Sequence, residues 1–220
     1  MADQTTPFAK SEILPFFPSL VWRFRLPDED AAAVNALVIR KGEELAGHLK
    51  GEHDSTFMQT HQKLHRDPDM APLSRHIIAA SSAVMQMLAL EQHPYEITGL
   101  WVNIGRPGAT HKRHRHNNNF LSGTYYAHAP AGANSIAFFD PRTEQGLLCP
   151  QPARLTQHNA GKVTLSVEPG ELLLWQSWFR HEVPPNDSGE DRYTASFNLM
   201  FSRFTELHSP PMIQKVVDQL

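Results

Sequence analysis

Polar and apolar positions change their period once along this chain, near residue 96. Over about 29–48, Val34, Leu37, Val38 and Leu45 recur at the spacing of one helical face. Asp28, Glu29 and Asp30 precede them, and their charges favour a helix N-terminus. A second helix is predicted from Pro72, a residue suited to a first turn, with Leu73, Ile77, Val84 and Leu88 on one face and an end before His93 and Pro94. Upstream, LPFFPSLVWRF at 14–24 has the aromatic and β-branched content of a strand, which Pro18 confines to a sheet edge.

Beyond residue 96 the period is two. The runs 97–104, 120–127, 135–139, 163–167, 172–175 and 192–201 are short, β-rich and separated by Gly, Pro, Asn and Asp, a succession that suggests a sandwich or jelly roll. The expected class is α+β in a single domain, 1–220: mainly helical support over 1–95 packed on one sheet, a β core over 96–204, and a tail over 205–220. In the last run Tyr193, Ala195, Phe197, Leu199 and Phe201 alternate with Arg192, Thr194, Ser196 and Asn198. Such a polar row faces either water, the ordinary reading for an antiparallel strand, or a pocket.

Composition narrows the partners. A chain of 220 residues with 40% hydrophobic content can bury one good core. Its formal charge of -3 creates no basic field for nucleic acid or an anionic membrane, and no apolar run reaches the length of a spanning helix. Cys149 is the single cysteine, which rules out an intrachain disulfide, and the opening MADQTTPFAKSEILPFF lacks a signal peptide's pattern. A cytoplasmic location is expected, with a small-molecule or peptide substrate and a homodimer left open. The unusual count is 13 histidines.

Among these, His114-Arg115-His116 has the spacing that projects two imidazoles to one side of an extended segment, where both can reach one ion. A third ligand must come from elsewhere, and His181 follows the apolar run 172–175, where a sheet edge can return it to the same mouth. Three ligands on one face leave positions open for substrate and dioxygen. The competing reading is a solvated basic loop for HKRHRH and a hydrogen-bonded loop residue for His181. His65-Arg66-Asp67 is a rival metal motif, but its Asp67-Pro68-Asp69 continuation reads as a turn and helix start. Asp140, in FFDPR, is a reserve carboxylate that also suits a turn.

Order and spacing over about 100–204 carry more weight than any one motif. The succession WVNIGRPGATHKRHRHNNNFLSGTYYA, SIAFFDPR, PGELLLWQSWFRHEVPPN and DRYTASFN resembles the Fe(II)/2-oxoglutarate oxygenase superfamily, in a bacterial branch of it. The resemblance implies a double-stranded β-helix core, iron(II) as metal and 2-oxoglutarate as cosubstrate. It implies ligands at His114, His116 and His181, and a carboxylate-binding Arg192 assisted by Thr194, with Asn103 and Tyr126 as further contacts. The superfamily usually has Asp or Glu two residues after the first histidine, where this chain has His116. Taking His116 as the first ligand instead puts Asn118, a poor ligand, at that position. The alternatives are a three-histidine iron dioxygenase that ignores 2-oxoglutarate, a closed metal-binding jelly roll without catalysis, and, for Arg192, a surface ion pair with Glu190 or Asp191.

Overall fold

The computed structural model describes residues 10, 12–48, 56–142, 150–156 and 158–204. The expected tail over 205–220 and Cys149 lie outside them. In chain order the elements are β1 (Val21–Arg25), α1 (Asp28–His48), β2 (Phe57–Gln59), 3-10 turns at Leu64–Arg66 and Pro68–Met70, and α2 (Ala71–Met87). Then come β3 (Tyr95–Gly105), β4 (His111–His114), β5 (Leu121–His128), β6 (Ser135–Phe139), β7 (Lys162–Ser166), β8 (Glu171–Gln176), β9 (His181–Val183) and β10 (Arg192–Phe201).

The strands form two antiparallel sheets, a six-stranded one ordered β1-β8-β5-β10-β3-β2 and a four-stranded one ordered β4-β9-β6-β7. This is the double-stranded β-helix, with β10 between β3 and β5 at the heart of the larger sheet. The predicted edge strand is real but shorter than 14–24: β1 starts at Val21 and pairs with β8 at the sheet margin. Both helices form where the periodicity places them. Asp67, ahead of Pro68, accepts a bond from the Asp69 amide at 3.0 Å and so starts the turn that leads into α2.

The two faces of the large sheet have different jobs. One face presents Leu100, Val102, Leu121, Tyr125, Leu172, Leu174, Ala195, Phe197 and Leu199 to Val34, Val38, Leu73, Ile77 and Val84 of the two helices, in one buried cluster. The alternation on β10 then forces Arg192, Thr194, Ser196 and Asn198 to the opposite face, toward the small sheet. Arg192, Thr194 and Asn198 are buried there. The row therefore does not face water, because a second sheet covers it. Part of the space between the sheets is apolar, packed with Tyr126, Ile136, Phe138, Val167, Leu173, Trp175 and Phe179. The rest is a polar-walled cleft. No helix among the described residues is long and apolar enough to cross a membrane.

Candidate active site

A narrow cleft opens between the sheets. Its floor comes from three cross-strand rows of the large sheet. Phe57, Gly105 and Arg192 stand opposite one another on β2, β3 and β10; so do Gln59, Asn103, Thr194 and Tyr126, with β5 added. The third row is Trp101, Ser196 and Thr124. Hydrogen bonds tie the rows together: Gln59 Nε2 donates to Asn103 Oδ1 at 2.9 Å, and Asn103 Nδ2 donates to Thr194 Oγ1 at 3.1 Å and to Ser196 Oγ at 2.9 Å. Buried polar side chains are tolerated here because they satisfy one another.

The small sheet supplies the histidines. His114 on β4 and His181 on β9 are direct cross-strand partners, although 67 residues separate their numbers in the chain (181 minus 114). The chain stays tied to the sheet edge past β4, where the His116 amide donates to the Ser177 carbonyl at 3.0 Å. Ring centroids lie 4.3 Å apart for His114 and His181, 5.1 Å for His114 and His116, and 5.2 Å for His116 and His181. One ligand nitrogen from each falls within 4.8 Å of the other two. His181 Nδ1 donates to the Phe179 carbonyl at 2.9 Å, and His114 Nδ1 donates to the Lys112 carbonyl at 2.8 Å. A carbonyl can only accept, so both rings carry their proton on Nδ1 and keep a lone pair on Nε2.

Burial also keeps these rings neutral. Desolvation, reinforced by the neighbouring imidazoles, holds His116 down to about 4 and His181 at about 3; desolvation also lowers His114. A neutral imidazole is the form that binds a metal. Three neutral imidazoles converging on one point, two with their tautomers set by backbone carbonyls, fit a divalent first-row ion.

Across the cleft, Arg192 is 4% exposed. Among the described residues its one hydrogen bond is from Nη1 to the Ala133 carbonyl at 3.4 Å, and no carboxylate pairs with it. Glu190, one of the two acids expected for a surface ion pair, lies instead against His128 at 3.2 Å. The guanidinium lies over Gly105, where a Cβ would stand 3.0 Å from Nη2, so glycine leaves it room. Desolvation lowers the Arg192 pKa, and burial raises that of Tyr126, whose phenol feels the guanidinium's charge. Arginine stays charged even so. A buried cation with no acid beside it can take its counter-charge from an anion in solution.

All seven residues singled out from the sequence, His114, His116, His181, Arg192, Thr194, Asn103 and Tyr126, line this one cleft. His65 and Asp67 do not: His65 lies in the turn Leu64–Arg66 and Asp67 pairs with Lys41 at 3.1 Å. Asp140 is held by Arg142 at 2.7 Å. The sequence reading missed Phe57, Gln59 and His111. The first two lie on a three-residue strand too short to show a period. His111 lies three residues from His114, a spacing that puts side chains on opposite faces of a regular strand. The β4–β9 pairing skips a residue between His111↔Val183 and His114↔His181, and this bulge turns His111 inward.

Residues 99–198 match a family model described as "Putative 2OG-Fe(II) oxygenase". Similar solved structures include the epimerase SnoN from nogalamycin biosynthesis, in complex with Fe3+, alpha ketoglutarate and nogalamycin RO, at 15% identity and a TM-score of 0.61, covering 84% of this chain and 80% of that one. The Pseudomonas putida prolyl-4-hydroxylase is 18% identical with a TM-score of 0.55, covering 83% and 93%. HygX from Streptomyces hygroscopicus with nickel, 2-oxoglutarate and hygromycin B bound is 12% identical with a TM-score of 0.55, covering 86% and 85%. At these identities the likeness is one of fold. No curated protein matches the chain.

Proposed function

We infer that this chain is an iron(II)- and 2-oxoglutarate-dependent oxygenase, of the family whose model its residues 99–198 match, and that it hydroxylates a C–H bond of a small molecule or peptide. The observation that carries the reading is the buried Arg192 guanidinium, without a carboxylate partner among the described residues, across one cleft from three neutral imidazoles. Those two features match the two ends of a 2-oxo dicarboxylate. Hydroxylation is the outcome proposed because it needs only oxygen transfer to a held C–H bond, and prolyl hydroxylases occur among the structural neighbours.

His114, His116 and His181 would hold the iron, with Nε2 as the donor atom of His114 and His181. Iron(II) and 2-oxoglutarate, when bound, supply dioxygen activation coupled to oxidative decarboxylation of the cosubstrate to succinate and carbon dioxide. Arg192 binds the distal carboxylate, and Thr194, held in place by Asn103, supports that end with its hydroxyl. Phe57, Trp101, Ile136 and Tyr126 wall the cleft and limit the access of water. His116 occupies the place where the superfamily usually has a carboxylate, and a neutral ligand there leaves the site one unit more positive, which favours an anionic cosubstrate.

The test is titration of 2-oxoglutarate, without oxygen, into iron-loaded wild-type and Arg192→Met protein, read by calorimetry and by the visible charge-transfer band of the chelate. Each charge-assisted hydrogen bond lost is worth about 1.5–3 kcal/mol, so the variant should bind at least about tenfold more weakly. Its iron content should be unchanged. Equal affinity in the two proteins removes Arg192 from the pocket; no binding to wild type favours a three-histidine dioxygenase that does without 2-oxoglutarate.

A further inference from the structure

His111 completes the cleft wall in a way that neither the metal triad nor the arginine accounts for. On one side its ring stacks on that of His114, at 4.0 Å between centroids and 25° between planes. On the other it meets Phe57, at 4.9 Å. Phe57 belongs to the cross-strand row of Gly105 and Arg192, and the guanidinium lies over Gly105 within that row. The imidazole of His111 therefore spans the interval from a metal-facing histidine to the arginine end, along the path that a 2-oxo dicarboxylate must take. Among the described residues no hydrogen bond holds either of its ring nitrogens, and the side chain is only partly buried, so a nitrogen is available to the cleft. An imidazole carries an N–H in either charge state, so the ring has a donor to offer the cleft.

We propose that His111 is a further cosubstrate-binding residue, donating a ring N–H to the bound 2-oxo dicarboxylate between the triad and Arg192. This rests on the reading of the cleft as an iron and 2-oxoglutarate site. The bulge in β4 makes it possible, because in a regular strand His111 would face away from the cleft whenever His114 faced into it.

The experiment uses His111→Phe, which keeps an aromatic ring between Phe57 and His114 but has no donor, and His111→Asn, which keeps an N–H on a shorter stem. Metal content is measured first, then 2-oxoglutarate is titrated calorimetrically into iron-loaded protein without oxygen. A donor bonded to a carboxylate predicts about tenfold weaker binding by His111→Phe, partial recovery in His111→Asn, and full metal content in both. Wild-type affinity in His111→Phe overturns the proposal and leaves the reading of the site intact. So does loss of iron from His111→Phe, which would make His111 a ligand. Absence of binding to wild type overturns both, and is distinguished from the other outcomes by the wild-type arm alone.

Discussion

A histidine at 3% exposure, such as His181, folds at least cost when it is uncharged, and the same neutrality suits a metal ligand. Its pKa in the folded chain is about 3, far below the ordinary value of 6.5 that the unfolded chain regains. Between those values the unfolded state binds the proton and the folded state does not. Its contribution to stability is thus complete above about 6.5 and is lost as pH falls toward 3. The metal-free protein should show a melting temperature that declines from pH 6.5 to 4, more steeply in wild type than in His181→Leu. Parallel declines in the two proteins would show that other groups carry the acid sensitivity. At this scale membership of the cleft is legible in the sequence: His114, His116, His181 and Arg192, singled out by spacing and resemblance, all line it. His111 is not singled out in this way, since a bulge is a property of strand pairing and leaves no period in one strand's residues.

At the scale of elements, the site depends on β5, β8 and β10 lying closely together. Gly123 on β5 faces Leu174 on β8 and Phe197 on β10 across the ladder. A Cβ there would fall 2.3 Å from Phe197 Cζ and 2.5 Å from the Leu173 carbonyl oxygen. Phe197 can turn aside, but the backbone oxygen cannot. Gly123→Ala should therefore lower stability by about 1–3 kcal/mol, seen as a lower denaturant midpoint, and Phe197→Ala should not restore it. Strand existence was legible wherever alternation ran for five residues or more. β2, β4 and β9, of three or four residues each, were not recognisable alone, and two of these three carry the histidines of the small sheet.

For the whole molecule, the helices cover one face of the large sheet and the cleft occupies the other, so stability and ligand binding can be separated. Lys41 of α1 is buried and meets Asp69 at 2.9 Å, Asp67 at 3.1 Å and Glu44 at 3.3 Å, pinning α1 to the turn before α2. These carboxylates hold its ammonium well above the usual lysine range. Asp69 and Glu44 are more than half exposed, so solvent screens much of the attraction. Lys41→Met should cost about 1 kcal/mol in chemical denaturation and leave the affinity for 2-oxoglutarate within about twofold of wild type. A large loss of affinity would mean that the helices shape the cleft through the sheet.

The sequence alone determined the helical third, the seven strands of five residues or more, the alternation on β10 and the residue types at the site, because those follow from local periodicity and from chemistry carried by single side chains. Tertiary structure decided which face of β10 is enclosed, since alternation separates two faces without saying what covers either. It made His114 and His181 neighbours, because pairing of β4 with β9 is a long-range event. Among the described residues it left Arg192 without a carboxylate, for Glu190, two positions away in sequence, lies against His128. It also brought His111 into the cleft, through one extra residue in a ladder whose other strand lies some seventy positions further along the chain.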